Sequence, residues 1–191
     1  MIFRPFLLKV DMAIGEVNAF IYGCEETKKA ILIDAGKFDQ RFADYARAEG
    51  LKLSTIFLTH DHGDHVAGAA ECAEKFGATV IAGTEEPSGR KADRVVGHGD
   101  KVEVGHLVGR VVSTPGHTPY GISLVFPGMV FTGDALFAGS VGGTSSQENY
   151  AMQIEAIREH VLALPGDTRI HSGHGPATTV SIEKQYNPFF L

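Results

Sequence analysis

The chain has 191 residues, 43% hydrophobic and 21% charged, which is ordinary globular usage and excludes a disordered or low-complexity chain. Its formal charge is −6 and it has no block of basic residues, so nucleic acid and anionic membranes are not expected partners, since both need a positive surface. Cys24 and Cys72 are too few for a disulfide framework and fit a reducing compartment.

The opening segment 1–12 has no long apolar core and no small-residue cleavage site, and the longest apolar runs fall far short of a membrane span. A cytoplasmic protein with one domain over residues 1–191 is expected. Early strands are read at Phe6–Val10, Ala19–Tyr22 and Ala30–Ile33, with turns at Asp11–Gly15 and Gly23–Lys29. Phe38, Phe42, Tyr45 and Ala46 recur at helical spacing before Gly50. Thr55–Leu58 reads as a buried strand. Val66, Ala69, Ala70, Ala73 and Phe76 form a helical stripe that Gly77 closes, and Thr79–Ala82 is a strand.

Val102–Val104, Leu107–Val112, Ile122–Phe126 and Met129–Thr132 read as strands in the second half. The clearest helix is Gln147–Leu164, with Tyr150, Ile154, Ile157, Val161 and Leu164 on its apolar face. Ser145 and Glu148 have capping-box spacing at its start, and Pro165-Gly166 stops it. Thr168–Ile170 is a last strand and Thr179–Tyr186 a last helix. Strands cluster between helices in both halves, so a layered α/β or α+β core is expected. Tyr22, Phe137 and Tyr120 could line a substrate pocket, but each is assigned to core packing. His98, His106, His160 and His171 are assigned to the surface or to loops.

Three of the nine histidines fall within Thr59-His60-Asp61-His62-Gly63-Asp64-His65, between an apolar strand and a helical stripe. Alternate side chains of extended backbone share a face, so His60 and His62 can point to one place. Asp64 and His65 lie where the chain turns into the helix and can reach a neighbouring place. Asp61 reads as solvated or supporting. Imidazole and carboxylate are good ligands for zinc, iron and manganese. Three later fragments supply partners: His117 in Pro115-Gly116-His117-Thr118, Asp134 in Thr132-Gly133-Asp134, and His174 in Gly173-His174-Gly175-Pro176. Each sits on a short loop after a predicted strand, where α/β folds gather functional groups.

H-x-H-x-D-H, then P-G-H-T, T-G-D and G-H-G-P, in this order, resembles the metallo-β-lactamase superfamily over essentially the whole chain. Within it the chain is most similar to the hydroxyacylglutathione hydrolase (glyoxalase II) branch. The ending Lys184-Gln185-Tyr186-Asn187-Pro188-Phe189-Phe190 is similar to the tail of its compact, single-domain members. The resemblance implies a four-layer αββα sandwich. It also implies two divalent ions (zinc, iron or manganese), the first held by His60, His62 and His117, the second by Asp64, His65 and His174. Asp134 would bridge them, and Asp34, after the strand Ala30–Ile33, would orient a ligand from behind. The implied chemistry is thioester hydrolysis of the S-lactoylglutathione type, with a hydroxide between the ions as nucleophile and Asp64 and Asp134 as catalytic carboxylates. The partner is a small thioester.

Larger glyoxalase II proteins add a helical glutathione-binding domain and a basic residue where this chain has Gly143. An iron persulfide dioxygenase of the same superfamily, with one iron on His60, His117 and Asp134, is the alternative reading. A lactone or ester hydrolase is a further alternative, ranked below the thioesterase, and a non-catalytic module is disfavoured because all seven ligand types are present.

Overall fold

The computed structural model describes residues 5–12, 15–87 and 89–191; residues 1–4 and part of the turn expected at Asp11–Gly15 lie outside them. The first half runs β1 (Phe6–Met12), β2 (Gly15–Gly23), β3 (Lys29–Ile33), α1 (Gln40–Glu49), β4 (Lys52–Phe57), α2 (Gly63–Val66), α3 (Ala69–Phe76), β5 (Thr79–Ala82) and β6 (Arg94–Val95). The second runs β7 (Lys101–Val104), β8 (Leu107–Ser113), β9 (Ile122–Phe126), β10 (Met129–Gly133), β11 (Leu136–Phe137), β12 (Ser140–Val141), α4 (Gln147–His160), β13 (Arg169–Ser172), β14 (Thr178–Thr179) and α5 (Val180–Tyr186).

One sheet has the order β1-β2-β3-β4-β5-β6 and the other β14-β13-β10-β9-β8-β7. The two-residue alternation of strand side chains sets the layers. Phe20, Tyr22, Ile31 and Ile33 of the first sheet pack with Val111, Leu124, Phe126 and Phe131 of the second. Their neighbours Ala19, Ile21, Ala30 and Leu32 face the other way, into a layer with Phe42, Ala46, Cys72 and Ala73 of α1 and α3. Val130 and Ile170 on the outer side of the second sheet meet Ile157 of α4 and Val180 of α5. Both faces of each sheet are thus covered, as in the αββα sandwich.

Strand direction builds one functional edge. β3, β4 and β5 are mutually parallel, and β10 is parallel to β13. β8 pairs antiparallel with β9, and β9 with β10, so β8 runs with β10. The segments after β3, β4, β8, β10 and β13 carry the candidate residues. Two backbone hydrogen bonds join the sheets there, Ile122 N to Thr59 O at 2.9 Å and Asn18 N to Gly173 O at 2.7 Å.

Several local expectations need correction. The stripe from Val66 to Phe76 is two helices, not one, because the chain breaks at Ala67–Gly68. A Cβ on Gly68 would collide with the Lys37 backbone, and Gly68 N donates to Ala35 O at 2.8 Å. The long helix is capped by Ser146, whose side chain accepts from Asn149 N, while Ser145 Oγ accepts from the Asn149 side chain. Its regular part ends at His160, although Val161 and Leu162 remain buried beyond it. Tyr120 is exposed rather than packed in the core, whereas Tyr22 is fully buried there. His171 is no surface residue: it lies buried in β13, stacked on Phe131 with centroids 5.2 Å apart.

Candidate metal centre

His60, His62, Asp64 and His65 all follow β4. Thr59 and His60 are the buried continuation of that strand, and His62 precedes α2 in extended backbone. Asp64 and His65 fall in the first turn of α2, which swings both inward, buried. His117 sits in the loop after β8, Asp134 directly after β10 and His174 in the loop after β13.

These residues meet as two trios. The ligand atoms of His60, His62 and His117 lie within 4.8 Å of one another, with His62 Nδ1 and His117 Nε2 only 3.0 Å apart. Those of Asp64, His65 and His174 form the second group. In it, His65 Nε2 is 3.6 Å from Asp64 Oδ2, and His174 Nε2 is 3.4 Å from both Asp64 Oδ2 and His65 Nε2. Asp134 stands between them. Its Oδ1 is 3.4 Å from His65 Nε2, and its Oδ2 is 3.3 Å from His174 Nε2 and 3.7 Å from His117 Nε2. Gly173 makes room for this packing, since a Cβ there would run into Asp134 Oδ1 and the His65 ring.

Four of the five imidazoles are oriented from behind. Asp34, buried and in the left-handed region at φ 56°, accepts from His65 Nδ1 at 2.9 Å. Asp34 also accepts from Thr59 N through Oδ1 and from Thr59 Oγ1 through Oδ2, both at 2.9 Å. Because the Thr59 hydroxyl spends its proton on Asp34, it accepts from His60 Nδ1 at 3.0 Å. His117 Nδ1 donates to Gly143 O at 2.7 Å and His174 Nδ1 to Glu16 O at 2.7 Å. Four histidines thus present Nε2 to the centre, the arrangement that outer hydrogen bonds impose on metal-binding imidazoles. Asp34, His60 and His65 also approach one another, but Asp34 already accepts three hydrogen bonds, so its place is behind the ligands.

The electrostatics match a site built for cations. His60 is pushed down to about 2, by burial first and then by the neighbouring His65. Burial also acts downward on His65, yet Asp34 and Asp134 flank it and raise it to about 10. Burial opposes ionisation of Asp134, but the facing imidazoles of His174 and His65 hold its carboxyl well below the usual range. His60 Nε2 and Asp134 Oδ1 are buried without a hydrogen-bond partner. Orphaned polar atoms of this kind are costly, and convergent imidazole and carboxylate donors around them fit a divalent ion in each trio.

Sequence reasoning missed several supports. Asn18 holds the His174 loop by donating to Ser172 O and Gly175 O, each at 2.9 Å. Gln153, buried on α4, donates to Ala135 O at 3.1 Å and Gly142 O at 2.9 Å, fixing the segment that carries the Gly143 carbonyl. Phe137, assigned to core packing with pocket lining as its alternative, is only half-buried, its ring 6.1 Å from that of His174. An Asn within an apolar strand and an uncharged Gln within an amphipathic helix give no sign of these roles.

Fold and site together define a metallohydrolase-type αββα protein. The chain belongs to the metallo-β-lactamase superfamily, whose family model matches residues 13–174. It is 34% identical over 171 residues to the hydroxyacylglutathione hydrolase of Idiomarina loihiensis, covering 85% of this chain and 65% of that one. The chain spans about half to two thirds of the length of the hydroxyacylglutathione hydrolases it matches. Among solved structures, ETHE1 from Myxococcus xanthus is similar with a TM-score of 0.85 at 32% identity, over 96% of this chain and 83% of that chain. TTHA1623 in a di-iron-bound form is similar with a TM-score of 0.76 at 29% identity, over 95% and 99%. Among the described residues, no helix is long and apolar enough to cross a membrane.

Proposed function

We propose that this chain is a binuclear metal-dependent thioester hydrolase acting on S-lactoylglutathione or a close analogue. The observation that carries the reading is Asp134, set between two complete ligand trios with Oδ1 beside His65 and Oδ2 between His174 and His117. His60, His62 and His117 would hold one ion, Asp64, His65 and His174 the other, and Asp134 both. Ions bound there supply Lewis acidity to a carbonyl oxygen and lower the pKa of water from 15.7 toward ~7.

The rest is done by this chain's own groups. His65, Asp64 and Asp134 are buried, while His117 and His174 keep 17% and 32% of their side chains exposed and His62 is exposed. Substrate therefore approaches over His62, His117 and His174. Asp64 Oδ2, beside His65 and His174, is the oxygen Asp64 would bring to the second ion. No strong acid is required for departure of the leaving group, because a thiol pKa is only about 8.5. Gly143, exposed at the rim, offers no cation to a glutathione carboxylate. The names of the curated relatives support the thioester assignment.

A second reading rests on one feature. His60, His117 and Asp134 alone make a two-histidine, one-carboxylate set, the type used by non-haem iron oxygenases. Turnover of S-D-lactoylglutathione by metal-analysed protein, beside oxygen uptake with glutathione persulfide, separates the two: thioester cleavage without oxygen uptake is expected, and the reverse overturns the proposal.

A further inference from the structure

One short loop touches both trios. The hairpin of β11 and β12, Leu136–Phe137 with Ser140–Val141, begins two residues after Asp134. Phe137 leans edge-on toward His174, and Gly143, two residues past the hairpin, orients His117 through its carbonyl. Strands of two residues do not hold themselves in place. Gln153 holds the hairpin's two ends at Ala135 O and Gly142 O, and Thr132 Oγ1 donates to Leu136 O; the turn between the strands needs a further support.

The C-terminal tail supplies it. Glu183 of α5 is 1% exposed and faces the hairpin turn. Its Oε2 accepts from Gly139 N at 2.9 Å and from Asn187 Nδ2 at 2.8 Å, and its Oε1 accepts from Thr178 Oγ1 at 2.6 Å. Asn187, fully buried, also donates to Ser140 O at 3.2 Å. The tail therefore holds the turn by one N–H and by the carbonyl next to it. This explains the Glu183 to Pro188 segment, which contributes nothing to either trio. All three groups donating to Glu183 are uncharged, and together they satisfy both of its buried oxygens.

We propose that Glu183, supported by Asn187, is a positioning residue for the reaction: it fixes the hairpin as one wall of the substrate site, with Phe137 as an apolar surface for an uncharged part of the substrate beside His174. The proposal rests on the thioester-hydrolase reading and adds the residue that shapes its substrate wall. The chemistry of the latch makes a graded series available. Glutamine at 183 keeps an oxygen for Gly139 N and Asn187, because the Thr178 hydroxyl can turn to accept from the new amide. Alanine keeps nothing.

The test compares wild type, Glu183→Gln, Glu183→Ala, Phe137→Ala and the Glu183→Ala/Phe137→Ala double variant, all metal-analysed, with S-D-lactoylglutathione as probe. Glu183→Ala is expected to raise KM about tenfold, the scale of one lost apolar contact. Its kcat should stay within about twofold, as for lost uniform binding. Glu183→Gln should behave as wild type, and the double variant should be no worse than the worse single one. Amide exchange needs no substrate: the Gly139 N–H should exchange at least about tenfold faster in Glu183→Ala and at the wild-type rate in Glu183→Gln, at equal metal content. If Glu183→Ala does not fold, Asn187→Ala should speed exchange across the hairpin in the same direction. Unchanged exchange in these variants, equal losses in the Gln and Ala forms, or additive KM effects in the double variant would overturn the proposal. Absence of turnover in wild type would instead overturn the thioesterase reading, and the exchange arm would still decide whether Glu183 holds the wall.

Discussion

Asp34 Oδ2 accepts the Nδ1 proton of His65 at 2.9 Å from a left-handed backbone position, and both residues are buried. The same carboxylate reaches Thr59, and through its hydroxyl His60, so one aspartate sets the ring orientation of a histidine in each trio. Asparagine tolerates the left-handed region, so Asp34→Asn removes the charge and one acceptor while sparing the turn. Metal affinity of the His65 trio should fall about 10- to 100-fold, the usual effect of losing an outer partner. Competition titration with a chromophoric chelator measures it, and an unchanged affinity would refute this role.

Thr59 gives a finer test. Thr59→Val removes the hydroxyl between His60 and Asp34 and leaves His60 Nδ1–H without its acceptor in a buried place. Affinity of the His60 trio should drop about tenfold. Thr59→Ser, which restores the hydroxyl, should recover most of it. The same titration, run on both variants, checks the pair.

His171 predicts an acid sensitivity that is separate from the metal centre. It is buried against Phe20 and Phe131, its Nε2 has no hydrogen-bond partner, and burial, helped by Arg169, lowers its pKa from 6.5 to about 4. A folded pKa below the unfolded one means that the unfolded chain binds the extra proton between these values. The stability is therefore present above pH 6.5 and is lost as pH falls toward 4. The loss between pH 7 and pH 5 is about 2 kcal/mol from this group alone. Urea denaturation of His171→Phe at both pH values should show a pH-dependent loss smaller than that of wild type by about this amount.

Gly143 bears on substrate choice. Space around its Cα is open, and its carbonyl holds His117 whatever side chain is attached. Gly143→Arg adds a cation at the rim that can meet a glutathione carboxylate. KM for S-D-lactoylglutathione should fall about fivefold, the scale of an exposed ion pair near 1 kcal/mol, with kcat unchanged. Steady-state kinetics read it directly. A fall in kcat would show that the carbonyl had moved off His117.

What the chain order revealed and what it hid differ in kind. The candidate ligands His60, His62, Asp64, His65, His117, Asp134 and His174 were legible because each carries a side-chain type suited to metal and each follows an apolar strand. A layered α/β or α+β core was legible because strands such as Ala30–Ile33 are apolar on both faces and so need cover on both; the four-layer sandwich itself was what the family resemblance implied. The acceptors behind the rings were not legible where they are backbone, as with Gly143 and Glu16, because a carbonyl leaves no trace in residue type. The break at Gly68 was hidden because it is set by the distant Lys37 backbone. His171 was misplaced because the sequence gives its neighbours in β13 but not Phe131, which lies on the paired strand β10. The cap of α4 slipped by one residue because Ser145 and Ser146 are chemically the same, and only backbone geometry chooses between them.

The most direct measurement is metal content and S-D-lactoylglutathione turnover in wild type and Asp134→Ala, on protein shown by circular dichroism to keep its fold. Two equivalents of divalent metal with turnover in wild type, and loss of metal with at least about a hundredfold loss of turnover in the variant, is the predicted result. A single equivalent of iron with oxygen uptake in place of hydrolysis, or undiminished turnover in Asp134→Ala, would contradict it.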